Sequence, residues 1–145
     1  MIMGDYWTNP VRHPEDVGVG HIRRTVEWDD AGLSTGIPIG ALEAGAIPLR
    51  AGVLVQTAFN AGTTNVLVLG STADDDGLIT SVNAGAGVLG VKVGTGAQLG
   101  IPLAANTVFY ARFTQTGTAA SAGKATLWVE YLNKREVEGT AFPAN

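Results

Sequence analysis

Hydrophobic and polar positions along this chain alternate with a period of two in several short stretches, and nowhere do they hold a helical period. In residues 53–59, Val53, Val55, Thr57 and Phe59 share one side while Leu54, Gln56 and Ala58 share the other. That alternation marks a strand with one face on a core. In residues 65–70 the run Val66, Leu67, Val68, Leu69 is unbroken, as expected of a strand buried on both faces. Asn60 and Gly62 between them supply turn backbone at little steric cost, so the pair reads as a central hairpin. Residues 107–115 set Val108, Tyr110 and Arg112 against Phe109, Ala111 and Phe113. Residues 124–132 set Leu127, Val129 and Tyr131 against Trp128 and Glu130. Residues 21–28 form a further strand, with Ile22, Val26 and Trp28 in register and Arg24 interrupting them. Shorter candidates lie at 78–82 and 88–93.

Between these strands the chain is punctuated by turn residues. Asp29, Asp30 and Gly32 make a turn, and residues 71–77 and 116–123 are polar loops. Residues 35–48, with Gly36, Pro38, Gly40, Gly45 and Pro48, are expected to be irregular, with short extended pieces approaching the first central strand and at most one helical turn at 41–46. About seven or eight short strands without a convincing helix predict an all-β domain, a jelly-roll-like β-sandwich, over residues 20–132. Residues 1–19 fit neither period and contain Tyr6, Trp7, Pro10, His13 and Pro14. They read as an extended N-terminal arm, and residues 133–145 as a polar tail.

Composition narrows the function. The 145 residues make one domain, 46% hydrophobic and only 15% charged, with 20 glycines. Globular domains usually carry about 25% charge, so part of this surface is expected to be covered by a partner. The net charge is −4, and basic residues adjoin only at Arg23-Arg24 and Lys134-Arg135. That is no footprint for displacing counterions from phosphates, and nucleic acid is not an expected partner. The absence of cysteine removes disulfides, thiolate metal sites and cysteine nucleophiles together. No apolar run approaches the roughly 18–20 residues of a membrane helix, and residues 1–5 lack the basic-then-apolar pattern of a leader. A soluble protein without a signal peptide and without a membrane partner is the expectation.

The motifs that suggest chemistry fail on spacing. In Asp74-Asp75-Asp76-Gly77 the carboxylates are adjacent, whereas a calcium loop places ligands at alternate positions and ends in glutamate. A solvated acidic turn is the better reading. Gly123-Lys124 lacks the first glycine and the Ser or Thr of a phosphate loop and precedes a strand; Gly94-Thr95-Gly96 is an equally poor dinucleotide fingerprint. His13 and His21 have no ligand spacing, and no Gly-x-Ser-x-Gly elbow occurs. Glu43, Glu130, Glu136 and Glu138 read as solvated surface charge. No enzyme, cofactor or metal is expected.

The order of landmarks carries a resemblance. Gly45-Ala46-Ile47-Pro48-Leu49 leads into a strand ending Thr57-Ala58-Phe59-Asn60-Ala61-Gly62-Thr63-Thr64-Asn65, followed by an apolar strand closing on Gly70-Ser71. Later a small-residue loop at 118–124 precedes Val129-Glu130-Tyr131. Over residues 36–132 this resembles the small β-sandwich decoration, or cement, proteins of tailed-bacteriophage heads. The resemblance implies a virion protein on the outer capsid surface, made in the host cytoplasm. Its implied partners are the major capsid protein, whose neighbouring subunits it clamps, and copies of itself, commonly as trimers and sometimes as dimers. Candidate contact residues are Tyr6 and Trp7 as aromatic anchors in the arm, Arg23 and Arg24 facing an acidic surface, and Trp128 between copies or on the capsid. Two alternatives remain open: a carbohydrate- or receptor-binding sandwich, with exposed Trp or Tyr stacking on sugar, and a tail, neck or fibre component.

Overall fold

The computed structural model describes residues 19–82 and 84–133; the arm with Tyr6 and Trp7, and nearly all of the tail, lie outside them. Seven strands follow in order: β1 (Gly20–Glu27), β2 (Ile37–Leu42), β3 (Ile47–Thr57), β4 (Thr64–Gly70), β5 (Gly90–Val93), β6 (Thr107–Thr116) and β7 (Lys124–Leu132). They form two antiparallel sheets, of order β1-β7-β3-β5 and β2-β6-β4. Every odd strand is in the first sheet and every even strand in the second, so each connection crosses from one sheet to the other. Residues 78–82 and 84–86 touch β4 through the bridges Leu69–Ile79 and Val66–Gly85 and stand where an eighth strand would lie. This winding is that of a jelly roll. The all-β sandwich expectation holds, and no helix occurs among the described residues.

Alternation fixes which side chains meet. Ala51, Val53 and Val55 of β3, Ala125, Leu127 and Val129 of β7 and Val26 of β1 are all buried, as are Leu67 and Leu69 of β4 and Phe109, Ala111 and Phe113 of β6. The loop residues Leu33, Phe59, Leu78 and Ile79 complete the same core. Phe59 meets Phe113 with ring centroids 4.6 Å apart and planes tilted by 38°. Full burial of one such side chain contributes about 1.5–3 kcal/mol, so this apolar layer dominates the stability.

Three local expectations are corrected. The central hairpin does not exist: β3 pairs with β5 and β7, while β4 pairs with β6. The connection between them, residues 58–63, carries Phe59, which is 2% exposed, and a tight hairpin tip cannot bury an aromatic ring in the core. It is instead a crossover. Phe59 N–H donates to Ala86 O at 3.0 Å, Gly62 N–H to Thr118 O at 2.8 Å and Thr63 N–H to Thr116 O at 2.9 Å. Residues 35–48 are more ordered than expected, because Ile37–Leu42 is strand β2. Pro38 is tolerated there because β2 is an edge strand, where a missing donor breaks no ladder. A bulge between Pro38 and Gly40 absorbs the irregularity. The helical turn expected at 41–46 is replaced by the end of β2 and a turn closed by Ala46 N–H to Glu43 O at 3.1 Å.

Candidate interaction surface

The period of two that fills the core also writes the outer face of the four-stranded sheet. Register pairs His21 with Glu130, Arg23 with Trp128 and Thr25 with Thr126 between β1 and β7. It pairs Gly52 with Trp128 and Leu54 with Thr126 between β3 and β7, then Leu54 with Val91 and Gly52 with Val93 between β3 and β5. The face therefore runs from a charged side on β1 to an apolar side on β5.

Trp128 is half-buried at its middle, and a Cβ on Gly52 would overlap the benzo ring of its indole. A glycine at position 52 thus lets the large ring lie down over the neighbouring strand. A shallow groove of about 560 Å³ runs past it, lined by Arg23, Leu54, Val91, Thr126, Trp128 and Glu130, with His21 at one end. At the polar end Arg50 grips Glu130 through Nη2 at 2.9 Å and Nε at 3.0 Å to Oε1. His21 Nε2 stands 3.8 Å from Glu130 Oε2. At the other end Thr25 and Thr126 hydroxyls are 2.7 Å apart.

The structure separates the two arginines that are adjacent in sequence, because neighbours in a strand face opposite ways. Arg23 lies on the outer face beside Trp128. Arg24 lies on the core-facing row, and its Nη1 donates to Pro38 O at 2.9 Å, tying the edge of one sheet to the edge of the other. Tyr6 and Trp7 fall outside the described residues.

Sequence reading missed the apolar side of this face. Val91 and Val93 are 60% and 54% exposed, with Leu54 38% exposed beside them, and Val88 and Leu89 just before β5 are exposed as well. The signal is the alternation of Val91, Lys92 and Val93, which marks a strand but not which of its sides lacks cover.

The remaining motifs are accounted for locally. The acidic turn folds back through Ser71 N–H to Asp74 O at 2.8 Å and Gly77 N–H to the same oxygen at 3.2 Å, and Asp75 is paired with Arg112 on β6. The carboxylates of Asp74, Asp75 and Asp76 offer ligand atoms within 4.8 Å of one another, but one already serves the arginine. Gly94 N–H is spent on Ala51 O at 2.7 Å and Gly96 N–H on Leu78 O at 3.1 Å, so this glycine pair presents no phosphate cradle. Lys124 opens β7, not a helix.

No family model matches the chain, and no curated protein matches it. Among solved structures it is similar to a chain of the capsid asymmetric unit of cyanophage Pam1, at 18% identity with a TM-score of 0.63. The similarity covers 92% of this chain and 99% of that one, so the two are of nearly equal length and share the fold over most of this chain.

Proposed function

We propose that this chain is a structural protein of a phage virion, a decoration or cement protein on the outer capsid surface that stabilises contacts between major capsid subunits. The observation that supports this reading is the likeness of fold, over 92% of this chain, to a chain from a phage capsid. The likeness spans 99% of that chain, so it is to a chain about as long as this one. The order of landmarks over residues 36–132 supports the same reading. The mechanism is mechanical. Apolar area removed from water contributes roughly 25 cal/mol per Å², and repetition over a symmetric shell turns modest contacts into avidity. Contact residues in this proposal are Tyr6 and Trp7 of the arm, with Arg23 and Trp128 on the outer face of the four-stranded sheet. Catalysis, cofactors and nucleic acid have no part in it.

Co-sedimentation with undecorated capsids of the source virus tests the proposal. Saturation at a fixed ratio to the major capsid protein, with greater resistance of the shell to heat, is the expected result. Failure of the folded protein to bind overturns it. One observation favours a second reading: an indole laid flat over Gly52 and rimmed by Arg23, His21 and Glu130 is the form of a sugar-stacking platform. Saturable glycan binding abolished by Trp128→Ala, without capsid binding, would select that reading instead.

A further inference from the structure

The groove over Trp128 brings three kinds of group to one place: an aromatic face, a cation and a hydroxyl acceptor. The indole rests on Gly52, where a Cβ would overlap its benzo ring, and its other face is left to the groove. An aromatic face carries negative charge density and suits weakly positive C–H groups. Arg23 stands directly opposite Trp128 on β1, a register that sets Cβ atoms about 4.5–5.5 Å apart. Glu130 lies two residues further along β7 and so shares the face.

The charges at this groove are not equivalent. Glu130 Oε1 is held by Arg50 through Nη2 at 2.9 Å and Nε at 3.0 Å. Its Oε2 stands 3.8 Å from His21 Nε2, beyond a hydrogen bond, and is left to accept from a hydroxyl. Arg23 is exposed, and among the described residues no carboxylate or carbonyl accepts from its guanidinium. Arg24, one residue on, donates to Pro38 O on the other side of the strand. The groove therefore holds one cation without a counter-charge. The chain as a whole carries −4, so an anion is drawn to this point and not to the protein at large.

We infer that the groove binds an acidic sugar, one whose ring bears a carboxylate. The C–H face of a pyranose stacks on the indole, its carboxylate takes the fork of Arg23 in a paired, charge-assisted contact, and a ring hydroxyl donates to Glu130 Oε2. A neutral sugar leaves Arg23 unused, and a simple anion leaves the indole unused. A nucleic acid would need a row of cations where this face offers one. The groove's 560 Å³ falls within the roughly 300–1,000 Å³ of small-ligand clefts. The inference rests on the sugar-stacking reading of this face and names the class of sugar; it concerns the free protein and stands apart from capsid binding.

NMR titration of the full chain tests it, with the methyl glycosides of glucose, galactose and mannose and of their matching uronic acids. Each is taken to about 20 mM, which saturates a millimolar site. The readouts are the Trp128 indole N–H and the backbone amides of residues 126–130. The expected result is saturable binding of at least one uronic acid, at least about 10-fold tighter than its neutral counterpart. Arg23→Gln removes that advantage and leaves neutral-sugar binding as it was, while Trp128→Ala abolishes binding of both. Arg24→Ala, on the other side of β1, keeps the preference for acid. Equal binding of neutral and acidic sugars overturns the inference and spares the sugar-stacking reading; no binding by any of the six overturns both. A response given as strongly by acetate, or a preference that survives Arg23→Gln, overturns the inference as well.

Discussion

Gly52 and Trp128 stand directly opposite each other on β3 and β7, and the indole occupies the space that a Cβ on residue 52 would need. An alanine in a strand is ordinarily easier to order than a glycine. At this position the sign reverses, because the added methyl must push the ring off the sheet. Gly52→Ala is expected to cost about 1–3 kcal/mol, the usual penalty of overpacking, with a shift in tryptophan emission. In the Trp128→Ala background the same substitution is neutral or stabilising. A urea-denaturation cycle over the four variants measures the coupling, and additive effects would show that the ring does not rest on Gly52.

Arg23 and Arg24 are expected to behave as opposites. Arg24→Ala removes the charged hydrogen bond to Pro38 O that joins β1 to β2. It should cost about 1 kcal/mol, less than a buried bond of this kind because the side chain is exposed. Arg23→Ala leaves stability within about 0.5 kcal/mol and changes only binding to a partner of the outer face. Thermal denaturation of the two variants checks the contrast.

Core rows were legible in the sequence because period-2 alternation is written by burial itself. Phe109, Ala111 and Phe113, and Leu127 with Val129, were placed on the correct sides. Pairing was not legible. The hairpin reading of residues 53–70 failed because local pattern reports which face is buried and not which strand lies alongside. β2 was legible only as short extended pieces, because Pro38 and Gly40 are breakers in a central strand but harmless on an edge. Of the interaction surface, Trp128 and Arg23 were visible as isolated residues. The apolar rim was not, because Val91 and Val93 look like core until the topology shows β5 as the last strand of its sheet among the described residues.

The acidic turn gives a prediction about metal. With Asp75 engaged by Arg112, the three carboxylates are not free to converge on one ion, and adjacent positions lack the alternate ligand spacing of a calcium loop. Calcium or a chelator is expected to leave the melting temperature unchanged to within about 1 °C, where a bound ion at 100 times its Kd would add about 2.7 kcal/mol. A calcium-dependent rise would show that the turn binds the ion in spite of the arginine.

The crossover that replaces the expected hairpin is held by two asparagines, and it yields the sharpest stability contrast. Asn65 accepts from Ala61 N–H at 2.8 Å and donates to Ala61 O at 3.1 Å, closing the loop on itself. Asn60 Oδ1 accepts from Ser121 N–H at 2.7 Å and Ala122 N–H at 2.9 Å, clipping the crossover to the loop before β7. Beneath them Phe59 lies against Gly123, where a Cβ would overlap the ring. If residues 58–63 were a free hairpin tip, Asn65→Ala would be nearly silent. As a crossover with part-buried backbone groups, it leaves Ala61 unsatisfied and should cost about 1–3 kcal/mol. Gly123→Ala should cost at least as much, because the ring it strikes cannot leave the core. Denaturant midpoints of the two variants, with amide exchange at Ala61, decide between the two pictures.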